Sequence, residues 1–179
     1  MTKPIVPRQV RKVFEGRIFT VSVESIRLPR GERLEAEIIR HPGSVVLIPV
    51  TERGEIVLVR QYRHAIGRSI WELPAGSLEP GEDPRAAALR ECHEEVGLIP
   101  SSVERLGVFC PTPGYSDEEM TFYRATGLRG PADDDPVARQ DEDEDIESRV
   151  FAVDVIRQMI SSGEIIDLKT VAGLMLMDL

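Results

Sequence analysis

From Ile18 to Leu28 apolar and polar residues alternate, with the two-residue period of a half-buried strand. Pro29-Arg30-Gly31-Glu32 reads as a turn, and Leu34 to Arg40 continues in strand fashion. With a further strand near Val10 to Phe14, the pattern predicts an N-terminal antiparallel hairpin. A hairpin is marginal alone, so this one must lie on its own domain or on a second subunit. His41-Pro42-Gly43 marks a boundary, giving an arm over residues 1–43 and a main domain over 44–179. Ser44 to Val50 and Glu55 to Arg63 are β-branched, apolar runs on either side of Glu52-Arg53-Gly54 and are expected to pair in a central sheet. Ser69 to Leu73, Val103 to Phe109, Met120 to Ala125 and Glu147 to Val153 read as further strands.

The period lengthens between Pro84 and Val96. Asp83 suits a helix cap, Pro84 suits the first helical position, and Ala86, Ala87, Ala88 and Leu89 are strong helix formers. Gly97 stands where helices end in a left-handed residue. Two shorter helices are expected near the C-terminal end, one capped by Asp154 and ended by Gly163, the other over Asp167 to about Met177. Strands and helices mix without a regular repeat, which predicts an α+β sandwich.

On the long helix, Leu89, Cys92 and Val96 share the side that must face a core. Glu91, Glu94 and Glu95 share the opposite side at i, i+3 and i+4. Carboxylates so close repel one another, and a hard divalent cation with oxygen ligands relieves that cost. Arg90 lies four residues before Glu94, within reach of a charged hydrogen bond, and Glu82 lies just before the helix.

Composition narrows the class. The chain has 179 residues, a net charge of −9, 41% hydrophobic and 30% charged residues, the profile of a soluble globular protein. The negative charge argues against a nucleic-acid partner and requires local cations wherever an anionic ligand binds. No signal peptide or membrane span is expected, and two cysteines suit a reducing cytoplasm.

Gly76, Glu82, Arg90, Glu91, Cys92, Glu94, Glu95, Gly97 and Leu98 fill the fixed places of one signature: Gly, five residues, Glu, seven residues, Arg-Glu-apolar-any-Glu-Glu-any-Gly-apolar. This stretch resembles the Nudix hydrolases, with Cys92 an unusual choice for the apolar place. The resemblance implies a Nudix fold, a mixed β-sheet between α-helices with the N-terminal β-hairpin as an extension. It implies Mg²⁺ or Mn²⁺ held by Glu91, Glu95, Glu94 and Glu82 and by the Ala75 carbonyl. Arg90 would orient the carboxylates.

Trp71-Glu72-Leu73-Pro74-Ala75-Gly76 before the box and Pro113-Gly114-Tyr115-Ser116-Asp117-Glu118 after it look like ADP-ribose pyrophosphatases. That family implies Mg²⁺-dependent cleavage of ADP-ribose to AMP and ribose 5-phosphate by a homodimer with exchanged N-terminal hairpins. Arg63, Glu118, Phe19, Pro113 and Gly114 become substrate-binding candidates. Residues 133–147 carry nine carboxylates opposed only by Arg139, ordinarily a solvated loop. In the ADP-ribose enzymes a related loop carries the base, which here makes Glu142 the base for the attacking water and Glu144 a metal ligand. The alternatives are another nucleoside diphosphate sugar as substrate, such as GDP-mannose or ADP-glucose, and a Nudix-fold ligand sensor without activity.

Overall fold

In the computed structural model, which describes residues 9–135 and 146–177, the N-terminal arm forms three strands close to those expected. β1 (Gln9–Glu15), β2 (Thr20–Arg27) and β3 (Arg33–Arg40) form an antiparallel meander in that order. The expected antiparallel hairpin is thus present, the strand expected near Val10 to Phe14 forms its edge as β1, and every residue of β1 is exposed.

β4 (Ser44–Pro49) is buried along its whole length, and β5 (Ile56–Arg63) is buried over its first four residues. They were expected to pair with each other, but only a single bridge, Val50 with Ile56, joins them beyond the turn. The reason lies in their composition. Strands apolar on both faces need cover on both, and each takes its own neighbours. β5 pairs with β6 (Arg68–Glu72) and with β10 (Glu147–Phe151). β4 pairs with β7 (Ala75–Ser77) and runs parallel to β9 (Met120–Arg129), which in turn pairs with β8 (Ile99–Phe109).

The two faces of these strands bury two cores. Val45, Leu47, Val57 and Val59 pack with Ala87, Ala88, Cys92 and Val96 of the long helix. Val46, Ile48, Ile56 and Leu58 pack with Ile156 and Met159 of α2 (Val153–Ser162) and Leu174 of α3 (Leu168–Met177), numbering the helix at Pro84–Glu91 as α1. The result is a mixed sheet system between helices, as the sequence implied. Trp71 belongs to the second core, edge-on to Phe151 at 4.9 Å between ring centroids.

α1 begins where expected: the Asp83 carboxylate accepts hydrogen bonds from the backbone N–H of Arg85 and Ala86 at 3.0 and 3.1 Å. It continues into a π turn over Cys92–Val96 before Gly97 ends it at φ 73°. A π turn makes room for one extra residue and is common at functional sites. Here it falls on the stretch that carries Glu94 and Glu95, and Leu89 is left only partly buried. Asp154 does not cap α2. Ala152 holds the cap position, and Asp154 sits in the first turn, accepting from Arg157 at 3.1 Å.

Candidate active site

β7 and the α1 helix meet at Gly76. A Cβ on Gly76 would lie 1.9 Å from Glu91 Oε1 and 2.0 Å from its carboxyl carbon, so only glycine admits the carboxylate there. One residue earlier, the Ala75 N–H donates to Glu95 Oε2 at 3.0 Å. The strand thus seats both glutamates from below. Glu91 is 7% exposed and Glu95 5% exposed, an expensive placement for two acids unless each is paired or bound.

Arg90 gathers the others. Its Nε and Nη2 donate to the two oxygens of Glu82 at 2.9 Å each. Nη1 donates to Glu91 Oε1 at 2.7 Å and to Glu94 Oε2 at 2.8 Å. Glu82 also accepts from the Glu79 N–H at 3.0 Å. The hydrogen bonds to Glu82 raise the Arg90 guanidinium above its ordinary range; burial works against this, and the charge of Glu91 and the bond to Glu94 add to it. The same bonds from Arg90 hold the Glu82 carboxyl below its usual value despite partial burial. Arg90 is therefore a permanently charged hub. Cys92, on the buried face of the same helix, has its thiol pushed up to about 12 by burial, then by the Glu95 charge, so it stays a neutral packing group.

These residues border a cleft of about 430 Å³. Arg90, Glu91, Glu94 and Glu95 line one side, residues 75–80 another, and Arg63 and the arm's Arg17 and Ile18 complete it. The box residues Ala75, Glu91, Glu94, Glu95 and Arg90 are thus brought together as their spacing implied, and Glu82 joins through Arg90. Arg63 joins them, its Nε donating to Glu72 Oε1 at 2.7 Å.

Four candidates stand outside the cleft lining. Pro113 and Gly114 are on an exposed loop. Glu118 accepts from Ser44 Oγ at 2.9 Å, and the loop is tied to β3 through Asp117, which accepts from Arg40 and from the His41 N–H. Phe19 packs on Phe14 at 6.0 Å, next to Ile18. Glu142 and Glu144 lie outside the described residues. No local pattern singled out Arg17 and Ile18, which lie in the β1–β2 turn and line the cleft through the tertiary fold.

Among the described residues, no three His, Cys, Asp or Glu side chains are already drawn around a common point, since Arg90 holds three of the glutamates. The donors nonetheless suit a hard divalent cation: they are carboxylate oxygens, two of the acids are buried, and Gly76 leaves room for Glu91.

The Nudix domain model matches residues 40–171 of this chain. The chain belongs to the Nudix family. This Nudix protein is 39% identical over 171 residues to a methanol dehydrogenase activator of Bacillus methanolicus, covering 96% of this chain and 91% of that one. It is 35% identical over 159 residues to an ADP-ribose pyrophosphatase of Bacillus subtilis (strain 168), covering 89% of this chain and 84% of that one. A crystal structure of an ADP compounds hydrolase superposes with a TM-score of 0.83 at 21% identity, over 99% of this chain and 94% of that one, a likeness of fold. Among the described residues no helix is long and apolar enough to cross a membrane.

Proposed function

We propose that this Nudix protein is a Mg²⁺-dependent hydrolase that cuts ADP-ribose into AMP and ribose 5-phosphate. The observation that carries it is the pair of buried carboxylates, Glu91 and Glu95, seated on β7 at a cleft that also holds Arg63. The similarity to the Bacillus subtilis ADP-ribose pyrophosphatase supports the choice of substrate.

Nudix hydrolases generally depend on a divalent metal ion. In this chain Glu91, Glu95 and the Ala75 carbonyl would hold it, with Glu94, Glu82 and Glu144 as further ligands. When bound, such an ion neutralises diphosphate charge and makes a water molecule more acidic. Arg90 holds Glu82, Glu91 and Glu94 in place by charged hydrogen bonds. Arg63 binds the diphosphate by charged hydrogen bonds. Glu142 takes the proton from the attacking water.

Residues 1–43 act as a dimerisation arm in a cytoplasmic homodimer. Val10, Val13, Phe14, Ile18 and Leu34 are exposed apolar groups on or beside the arm's small sheet, and a second copy would cover them. In the single chain Arg17 and Ile18 of the arm line the cleft, and with exchanged arms each site would borrow such arm residues from its partner. Light scattering should give the mass of a dimer, and a monomer mass for the fully active protein would rule the shared arrangement out.

The assay for activity is incubation with Mg²⁺ and a panel of ADP-ribose, ADP-glucose and GDP-mannose, with products separated by ion-exchange chromatography. ADP-ribose should react fastest and yield AMP. A faster reaction with another sugar nucleotide would reassign the substrate, and no reaction with any of them would remove the enzymatic function.

A further inference from the structure

A second buried ionic group lies beside the cleft, at the start of α3. The Glu72 side chain, at the end of β6, is 2% exposed. Each of its oxygens has a cationic partner: Oε1 accepts from Arg63 Nε at 2.7 Å, and Oε2 accepts from Lys169 Nζ. The Lys169 side chain is 8% exposed and also lies 3.1 Å from Asp167 Oδ2. Asp167 Oδ2 accepts from the N–H and hydroxyl of Thr170 at 3.0 and 2.6 Å, and Thr170 Oγ1 accepts from the Leu73 N–H at 2.8 Å. Gly173 lets the helix lie close, since a Cβ there would come within 2.3 Å of Leu73 Cδ1. The first turn of α3 is therefore bolted to the strand that leads into Ala75 and Gly76.

Burying this many charges gains little stability over well-packed apolar residues. The group opens to the cleft at one side chain, Arg63. Its bond to Glu72 uses Nε alone, and among the described residues its two terminal nitrogens make no hydrogen bond. Burial works against the Arg63 charge, and the hydrogen bond and charge of Glu72, with the charges of Glu95 and Asp167, together hold the guanidinium above its ordinary value.

We infer that Lys169 is a positioning residue for substrate binding: by occupying Glu72 Oε2 it confines Glu72 to a one-oxygen bond with Arg63 Nε and keeps the terminal nitrogens of Arg63 available to the diphosphate. Without Lys169 both Glu72 oxygens are free to take Arg63 in a bidentate pair, the geometry guanidinium and carboxylate prefer. That pairing consumes a terminal nitrogen and draws the guanidinium away from the ligand. The inference rests on Arg63 as the diphosphate contact proposed above, and the variants separate the two.

Steady-state kinetics with ADP-ribose and Mg²⁺ are measured for Lys169→Met, Arg63→Gln and the double variant. Lys169→Met should raise KM about tenfold and leave kcat within about twofold, because a diphosphate contact is lost from the bound and transition states alike. It should add nothing further in the Arg63→Gln background, since both act through one guanidinium. A lysine with only a structural part would lower the melting temperature with KM unchanged, or its effect would add in full to that of Arg63→Gln; either result overturns the inference. If Arg63→Gln raises KM and Lys169→Met does not, the inference falls while the Arg63 contact stands. If Arg63→Gln leaves KM unchanged, both fall. Should Lys169→Met fail to fold, Glu72→Gln/Lys169→Met removes both charges; a glutamine cannot take Arg63 in a bidentate pair, so KM should stay within about twofold of the wild type, and a KM raised as in Arg63→Gln overturns the inference.

Discussion

Glu91→Gln should lower kcat for ADP-ribose by about three orders of magnitude, roughly 4 kcal/mol of transition-state stabilisation, and leave the fold intact. Glutamine has almost the same shape, fits beside Gly76, and still offers Arg90 an oxygen in place of the one bonded at 2.7 Å. What it lacks is the negative charge. If Glu91 is a metal ligand, that charge is what grips the cation against the diphosphate, and packing cannot replace it. Rates with saturating ADP-ribose and Mg²⁺ check this, alongside the melting temperature. A kcat within twofold of the wild type would remove Glu91 from the chemistry. A wild-type protein without turnover, whose affinity for ADP-ribose survives the substitution, would instead mark a ligand sensor.

Gly76→Ala should be as damaging to turnover, and unlike Glu91→Gln it should also cost stability, about 1–3 kcal/mol. Neither side of the clash yields easily. Gly76 is on β7, held in register with Val45 of β4, and Glu91 is on a helix whose next turn is packed into the first core. A methyl group 1.9 Å from Glu91 Oε1 must therefore push the carboxylate away from both Arg90 and the cleft. Urea unfolding tests the stability arm. In a Glu91→Ala background the methyl group has room, so most of the stability cost of Gly76→Ala should vanish while turnover stays absent. A full cost in both backgrounds would show that the strain has another source.

The parts of this fold that were legible in the sequence are those set by local chemistry. Asp83-Pro84 starts a helix and Gly97 ends it because cap and left-handed residue act within one turn. The box carboxylates converge because their spacing puts them on neighbouring turns of that helix. The π turn was not legible, since one i+5 step leaves no repeating pattern. The separation of β4 from β5 was hidden because an apolar run announces burial without naming its partner strand. Asp154 resembled a cap, yet Ala152 took that place and an aspartate in the first turn complements the helix dipole equally well. Pro113, Gly114 and Glu118 came from a resemblance and Phe19 from its ring as a stacking surface, and the loop ties and ring packing around them depend on tertiary contacts. Lys169 and Glu72 are 97 residues apart, and Arg17 reaches the cleft through the fold of the arm; no periodicity joins such pairs.

The central claim is that the buried acids beside Gly76 hold a divalent cation against a diphosphate. Mn²⁺ titration followed by electron paramagnetic resonance, with α,β-methylene ADP-ribose present, tests it on the wild type and on Glu91→Gln/Glu95→Gln. Saturable binding by the wild type that is lost in the double variant is the expected result. Equal binding by the two proteins, or none by either, would contradict it.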